Sequence, residues 1–187
     1  MNDAMTAPVT FISPHGFCNK AFRCLWGFVW LLLFRPTPKR FGRSWRNGLL
    51  RLFGARLGKC WLHPSVRIWA PWKLKIGDDV YIDQGVFLYN AYGCEIKDRV
   101  IISAEAVLCT VSHDYTVPSY PLIGRPIVVG SDCWIATRAF ISPGVSVGTG
   151  AVVGACAVAT KDVSPWAVVA GNPARFIKAR VMEGKIE

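Results

Sequence analysis

Residues 129–160 read VGSDCWIATRAFISPGVSVGTGAVVGACAVAT, and a small-to-medium apolar side chain recurs at every sixth position. A Gly, Ala, Ser or Thr follows each of these positions. A period of six fits neither an α-helix nor a hairpin, but it is typical of a parallel β-helix, in which each repeat supplies one short strand and one corner. We therefore predict an all-β solenoid whose stacked interior positions include Val129, Ile135, Ile141, Val147, Val153 and Ala159.

The same repeat begins earlier in the chain and changes phase twice. Consecutive repeat positions are eight residues apart from Leu88 to Ile96, and twenty-one apart from Leu108 to Val129. A solenoid loses phase where a loop leaves it, and such loops usually lie on the binding face, so we predict an inserted loop at 113–126. The predicted divisions are an N-terminal helical segment at 1–59, the β-helix at 60–171 and a C-terminal tail at 172–187.

The positive charge is concentrated before the repeats. The chain of 187 residues has a formal net charge of +10, and residues 1–60 hold ten of its 22 Lys and Arg residues against one of its 12 acidic residues. The remainder is nearly neutral. Because no nucleic-acid-binding motif accompanies this charge, we predict no nucleic-acid partner.

The N-terminal segment is also rich in Trp, Leu and Phe. The uncharged run Cys24–Phe34 has eleven residues, fewer than the roughly 20 that a membrane-spanning helix needs. A second helix is predicted from about Ser44 to Gly54. Its predicted apolar face contains Trp45, Leu49, Leu52 and Phe53, with Arg46 and Arg51 elsewhere.

Two interpretations of residues 20–56 are compatible and stay open. The helices cover the open end of the solenoid, which needs a cap, or their aromatic and basic side chains lie peripherally on an anionic membrane. No secretory signal is recognised, and the seven cysteines include no C-x-x-C pair. We therefore expect a cytoplasmic protein with reduced thiols, no metal and a core position for Cys133.

Three motifs give the solenoid a family resemblance. They are the loop sequence SHDY at Ser112–Tyr115, the stretch RIWAPW at Arg67–Trp72 and the tail ATKDVSPWAVVAGNPAR at Ala159–Arg175. Together they resemble the hexapeptide-repeat acyltransferases of the maltose/galactoside O-acetyltransferase group, and in particular the acetyltransferases of colanic acid biosynthesis. The resemblance covers about residues 60–180. It implies a left-handed β-helix, a homotrimer and acetyl-CoA as the acyl donor.

His113 is the candidate general base. Transfer of an acetyl group from a thioester to a hydroxyl requires removal of the hydroxyl proton, and the neutral-range pKa of histidine suits this role. His113 follows the coil that breaks phase and matches the base of the family, whereas His15 and His63 are expected outside the regular coils. A carboxylate is expected to orient the His113 ring, and the sequence does not decide among Asp114, Glu105 and Asp83.

The resemblance also implies binding residues. Asp83 and Asn90 correspond to or lie near substrate-binding positions of the group, and both differ from its pattern, which predicts a different acceptor. A sugar would in addition stack on an aromatic ring, for which Trp134, Tyr89 and Tyr92 are candidates. The residues implied for coenzyme A are Thr137, Ala155, Thr160, Lys161, Arg175 and Lys178.

We therefore predict an acetyl-CoA-dependent O-acetyltransferase that acts on a sugar of an exopolysaccharide or of its lipid-linked precursor. Two alternatives remain: an N-acetyltransferase of a nucleotide-linked amino sugar, and a non-catalytic β-helix scaffold. A zinc enzyme of the β-helix class would require three clustered histidines, which the sequence does not supply.

Overall fold

The computed structural model describes residues 16–182, which form a left-handed parallel β-helix of about six turns after an N-terminal pair of helices. Three parallel sheets form the faces of a triangular prism. Face A contains β1 (Arg56–Leu57), β4 (Leu74–Ile76), β7 (Cys94–Ile96), β12 (Ile127–Val129) and β15 (Ser146–Val147). Face B contains β2 (Cys60–Leu62), β5 (Val80–Ile82), β8 (Ile101–Ile102), β13 (Trp134–Ile135), β16 (Val152–Val153) and β18 (Ala167–Ala170). Face C contains β3 (Arg67–Ile68), β6 (Phe87–Tyr89), β9 (Val107–Cys109), β14 (Phe140–Ile141) and β17 (Val158–Ala159).

Two further strand pairs and two helices complete the architecture. The hairpin β10 (Val111–His113) and β11 (Leu122–Gly124) leaves the corner between faces C and A, where the sequence predicts the inserted loop. Strand β19 (Arg175–Ala179) returns antiparallel along β18. Helix α1 spans Phe17–Val29 and continues as a π-helical turn at Trp30–Phe34, and helix α2 spans Arg43–Leu52.

The six-residue period places every repeat position in the core. Val129 pairs with Val147 on face A, and Ile135 pairs with Val153 on face B, so each position stacks on its equivalent one coil away. Small residues at the corners are needed because neighbouring coils approach closely: a side-chain carbon at Gly148 would collide with Pro165. Cys133 is buried, as predicted, and its thiol contacts the carbonyl oxygen of Gly148.

The two predicted phase breaks have different structural forms. In the early coils Ile76 pairs with Ile96, so these coils are two residues longer than the later ones. The second break is the β10–β11 hairpin. The first strand of the solenoid begins at Arg56, slightly before the predicted start at 60.

The N-terminal helices cap the first coil through side-chain N–H groups. A solenoid end exposes carbonyl groups that have no neighbouring strand, and each buried unpaired group is costly. The Trp26 and Trp30 indoles donate to the carbonyl oxygens of Ile68 (2.7 Å) and Val66 (2.8 Å). Asn47 Nδ2 donates to the carbonyl oxygen of Cys60 at 3.0 Å. The capping interpretation therefore describes the structure.

The buried face of α2 differs from the prediction. Leu49 and Phe53 are buried as expected, but Trp45 and Leu52 point outward. Arg46 is fully buried instead, because its guanidinium donates to Thr37 Oγ1 and to the carbonyl oxygens of Pro38 and Lys39, which ties the interhelical linker to the helix. Burial lowers the pKa of Arg46.

By length and composition, Phe17–Phe34 is long and apolar enough to cross a membrane, with 18 residues and a mean hydropathy of 1.3. The helical segment is longer than the uncharged run Cys24–Phe34, on which the prediction that the segment is too short to span a membrane was based. Only 11% of this helical segment is buried within the protein.

Candidate active site

The β10–β11 hairpin presents His113 to solvent at the corner between faces C and A. His113 pairs with Leu122 at the outer end of the hairpin, and Val111 at its base is buried against the solenoid. The turn is closed by the Asp114 amide, which donates to the carbonyl oxygen of Pro121 at 3.0 Å. The buried lower end of the hairpin and its hydrogen-bonded turn hold the His113 imidazole in a defined position, although the rest of the loop is exposed.

The hydrogen bond of His113 defines which ring nitrogen is free. Nδ1 lies 2.6 Å from the carbonyl oxygen of Tyr120. A carbonyl oxygen can only accept, so Nδ1 carries the proton in the neutral ring and Nε2 keeps its lone pair. This is the tautomer that a general base requires at Nε2.

The expected orienting carboxylate is replaced by this backbone carbonyl. Asp114 instead accepts from the hydroxyl and amide of Thr116, which lower the pKa of Asp114. Glu105 pairs with Arg138 at 2.6 Å, and Asp83 Oδ1 accepts from the backbone N–H of Gln84 at 2.7 Å. Each of the three candidate carboxylates therefore has its own partner within the described chain.

His63 has the opposite tautomer and lies inside the first coil, which corrects its expected place outside the coils. Its Nδ1 accepts from the backbone N–H of Ser65 at 3.2 Å, so Nε2 carries the proton of the neutral ring. Burial, followed by the charge of Lys39, lowers the pKa of His63. His63 therefore acts as a corner residue of the fold, while His15 lies outside the described residues.

Asn90 is not available to a substrate, contrary to the sequence-based expectation. Its side chain is fully buried, and its amide accepts from the Ala70 N–H at 3.0 Å and donates to the Ala70 carbonyl at 2.7 Å. Asn90 Oδ1 and Nδ2 therefore take the place of backbone hydrogen bonds between the first two coils at the C–A corner. The role of Asn90 is structural, because its side chain links these two coils.

Two other acceptor candidates, Trp134 and Asp83, lie on or beside face B. Trp134 is 45% exposed, and its indole donates to Ser103 Oγ at 2.9 Å. Trp134 continues an outward row from Trp61, Tyr81 and Ile101, in which the Trp61 and Tyr81 rings stack at 4.3 Å. The constant spacing of twenty residues among positions 61, 81 and 101 is the sequence signal for this row.

Asp83, Tyr89 and Tyr92 lie at three different places on the solenoid. Asp83 is half-buried at the corner between faces B and C, two residues beyond Tyr81. Tyr89 is half-buried on face C, stacked against Phe87 at 5.4 Å. Tyr92 lies at the C–A corner, where its amide donates to Thr110 Oγ1.

All but one of the coenzyme A candidates lie at the two edges of face C. Thr137 and Ala155 are exposed and stack on one another at the B–C corner, where the Cys156 amide donates to the Thr137 carbonyl oxygen. Arg175 extends this corner because it pairs with Ala170, whereas Lys178 pairs with Val168 and therefore lies on face B. The remaining pair, Thr160 and Lys161, is exposed at the opposite C–A corner, beyond β17.

Face C, which separates these edges, is apolar on its outside. Four apolar residues form one outward row across neighbouring strands of this face, and all four are only partly covered. In order along the row they are Phe87, Val107, Phe140 and Val158. Within one chain, His113 and the Thr137–Ala155 corner are therefore on opposite sides of a hydrophobic strip.

A cavity of about 630 Å³ lies on face A beside the C–A corner. It extends from the cap to the base of the hairpin, and its lining includes Arg56, Trp72, Lys73, Lys75, Tyr92 and Glu95. Among residues 16–182 no group of three or more His, Cys, Asp or Glu side chains could hold a metal ion. All seven cysteines are free thiols.

Comparison with known proteins agrees with this fold. No family model matches the sequence. WcaF of Escherichia coli K12, whose name assigns it to colanic acid biosynthesis as an acetyltransferase, is 42% identical over 158 residues, which are 84% of this chain and 86% of WcaF. The galactoside O-acetyltransferase of the same organism is 29% identical over 137 residues, which are 71% of this chain and 68% of that protein.

Solved structures of acetyltransferases also have a similar fold. The hexapeptide-repeat acetyltransferase VCA0836 of Vibrio cholerae in complex with acetyl-CoA has a TM-score of 0.82 and 26% identity, over 93% of this chain and 95% of that one. A galactoside acetyltransferase in complex with coenzyme A has a TM-score of 0.81 and 25% identity, over 91% and 86% of the two chains.

Proposed function

Because this chain belongs to the hexapeptide-repeat acetyltransferase family, we propose that it transfers the acetyl group of acetyl-CoA to a sugar hydroxyl of an exopolysaccharide or of its lipid-linked precursor. The observation that carries this proposal is the Nδ1 hydrogen bond of His113 to the Tyr120 carbonyl, which leaves Nε2 free to accept a proton. The names of the relatives supply the donor and the class of acceptor.

The chain's own residues perform the proton transfer. Acetyl-CoA supplies a thioester carbonyl to be attacked. His113 Nε2 accepts the proton of the attacking hydroxyl, and the resulting imidazolium is stabilised by the Tyr120 carbonyl at Nδ1–H. The imidazolium then returns its proton to the leaving thiolate, so the ring is neutral again after each turnover.

The residues at the two edges of face C fit coenzyme A. An extended, amide-bearing pantetheine arm can pair with the exposed backbone at Thr137 and Ala155, where small side chains leave access. Lys161, Arg175 and Lys178 are exposed cations that suit its phosphates. Trp134 and Asp83 are proposed to contact the acceptor.

A homotrimer with face C toward its axis would unite these groups. A partly exposed strip formed by Phe87, Val107, Phe140 and Val158 is a suitable hydrophobic interface. Threefold rotation about an axis beside face C places the C–A corner of one protomer next to the B–C corner of its neighbour. His113 would then face the partner's Thr137 and the partner's Ala155.

We further propose that the N-terminal cap contacts an anionic membrane. The face of the helical segment Phe17–Phe34 that points away from the solenoid is apolar: Phe17, Phe28 and Leu32 are 85%, 60% and 64% exposed. The inner face is fixed to the first coil by Trp26 and Trp30, which holds the helix across the end of the solenoid. Held in this position, the helical segment is oriented to lie in the membrane surface rather than to cross the bilayer, although Phe17–Phe34 is long enough to cross it.

The charge of the segment favours lipid over a second copy of this chain. Residues 1–60 contain ten Lys and Arg residues and one acidic residue. Two such segments would repel each other, whereas anionic headgroups attract each exposed Lys or Arg near the membrane surface by about 1 kcal/mol, which leaves out the buried Arg46. The proposed location is therefore the cytoplasmic face of a membrane.

The catalytic assignment is tested by His113→Ala. Loss of a general base lowers turnover by at least ~10²-fold, while acetyl-CoA binding and the fold should be retained because the side chain is exposed. His63→Gln is the matched control and should keep near-normal turnover. Near-normal turnover of His113→Ala on the acceptor would refute the assignment, and a wild-type protein that transfers acetyl to no acceptor would favour the scaffold.

The membrane contact is tested by sedimentation with neutral and anionic vesicles. The wild type should bind anionic vesicles and dissociate as salt rises, since salt screens the Lys and Arg charges. Phe28→Glu should abolish binding, and Phe176→Glu, at a similarly exposed site (64%) beyond the cap, should not. If the wild type binds neither kind of vesicle at low salt, capping is the whole role of the segment.

A further inference from the structure

The cavity on face A is cationic and connects the N-terminal cap with the catalytic hairpin. Arg56, Lys73 and Lys75 line it, against a single acidic residue, Glu95. Its strands β1, β4, β7 and β12 are successive neighbours in one sheet, so the cavity spans three strand spacings, about 14 Å. None of these residues has a role in the coenzyme A sites described above.

Two of the cations oppose each other directly. Arg56 and Lys75 are register partners on adjacent strands, an arrangement that is destabilising for like charges. Glu95 pairs with Lys75 at 3.4 Å, but it is shared with Lys97. The Arg56 guanidinium has no hydrogen-bond or ion-pair partner among residues 16–182. The cavity therefore has an excess of positive charge that an anionic ligand would neutralise.

The upper end of the cavity meets the base of the His113 hairpin. The Tyr92 ring packs so closely on Gly124 that a side-chain carbon there would collide with it. Gly124 pairs with Val111, and His113 is two residues further along β10, about 7 Å away. A ligand that is held by its charged end among the cations can therefore extend an uncharged end toward His113.

The lower end meets the N-terminal cap. Trp72 lines the cavity, and its ring contacts Phe22 of α1 edge-to-face at 5.0 Å. We propose that this cavity binds the diphosphate of a sugar diphosphate acceptor and presents the attached sugar to His113. The proposal rests on the proposed function, and the diphosphate chemistry is the same whether its other end is a lipid or a nucleoside.

Binding is tested with inorganic pyrophosphate as the probe, by titration calorimetry on protein saturated with coenzyme A, which occupies its own phosphate sites. Arg56→Gln and Lys75→Gln should each weaken pyrophosphate about tenfold or more, as expected for loss of a charge-assisted contact. Lys97→Gln is the matched control, because Lys97 pairs with the same Glu95 but does not line the cavity. Lys59→Gln, near Arg56 in the chain, is the second control, and both should change the affinity less than about twofold.

Transfer assays identify the source of the diphosphate. Acetyl transfer to a prenyl-diphosphate sugar, a nucleotide sugar and the free sugar is compared between wild type and Lys75→Gln. The proposal predicts that Lys75→Gln raises KM for whichever diphosphate acceptor is used by about tenfold and leaves the KM for acetyl-CoA and for the free sugar unchanged. Absence of pyrophosphate binding, or equal losses in Lys75→Gln and Lys97→Gln, would overturn it. Pyrophosphate binding without transfer to any sugar would refute the proposed function and leave the anion site standing.

Discussion

Replacing Trp26 with Phe should measure how much the cap contributes to stability. The change removes the indole N–H that donates to the Ile68 carbonyl at 2.7 Å, in a position where Trp26 is only 3% exposed. A buried carbonyl left without a donor costs about 1–3 kcal/mol, and the smaller ring leaves a void that costs about 1 kcal/mol more. The expected loss is therefore about 2–4 kcal/mol, which corresponds to a fall in Tm of about 5–15 °C for a chain of this length.

The assay is thermal or urea unfolding at one fixed protein concentration, because association would make Tm concentration-dependent. Trp45→Phe is the matched control: its indole donates to the Leu33 carbonyl at 2.8 Å, but the side chain is 53% exposed and water can replace the bond. The control should change stability by less than about 0.5 kcal/mol. If Trp26→Phe lowered the free energy of unfolding no more than Trp45→Phe does, α1 would not be a structural cap.

Three further outcomes are expected. Lys161→Gln and Arg175→Gln should weaken acetyl-CoA much more than a pantetheine analogue, because only acetyl-CoA carries the phosphates, and equal weakening would mark these residues as solvated surface. Asn90→Ala should lower stability by about 2–4 kcal/mol, since it leaves the buried Ala70 N–H and C=O unpaired, with KM for the acceptor unchanged in steady-state kinetics. Because the pKa of His63 is lowered in the folded state, the unfolded chain takes up the proton first, so stability should fall as pH drops below about 6.5, and His63→Gln should reduce that dependence in unfolding measured across pH 5–7.

The solenoid could be predicted because its repeat is a local and redundant signal. Each interior position, such as Ile135 or Val153, repeats the same constraint, so the period survives a loop or a change of phase. The hairpin was predictable for the same reason, since an interruption is visible against a regular background. The length of the early coils follows from the spacing of Ile76 and Ile96.

The polar contacts could not be predicted because they depend on backbone groups that the sequence does not display. Arg46 is buried by carbonyl oxygens of the linker, and the His113 ring is oriented by the Tyr120 carbonyl. A carboxylate was expected because only side chains can be identified in a sequence. Asn90 was assigned to a ligand for a related reason. The sequence alone does not distinguish an exposed asparagine in a turn from a buried asparagine whose amide links two coils.

The split of the predicted coenzyme A residues between two corners leads to a test of where the site is assembled. His113→Ala removes the base at the C–A corner, and Ala155→Trp fills the exposed B–C corner that the pantetheine arm is proposed to follow. Each variant alone should be inactive. If each site combines the C–A corner of one protomer with the B–C corner of its neighbour, randomly mixed trimers contain about a quarter of their sites with both corners intact. Co-expression of the two variants should therefore recover about a quarter of wild-type activity, whereas separately purified variants mixed without subunit exchange should recover none. No recovery from verified mixed trimers would show that His113 works with groups of its own chain, and the apolar face C would then need a different explanation.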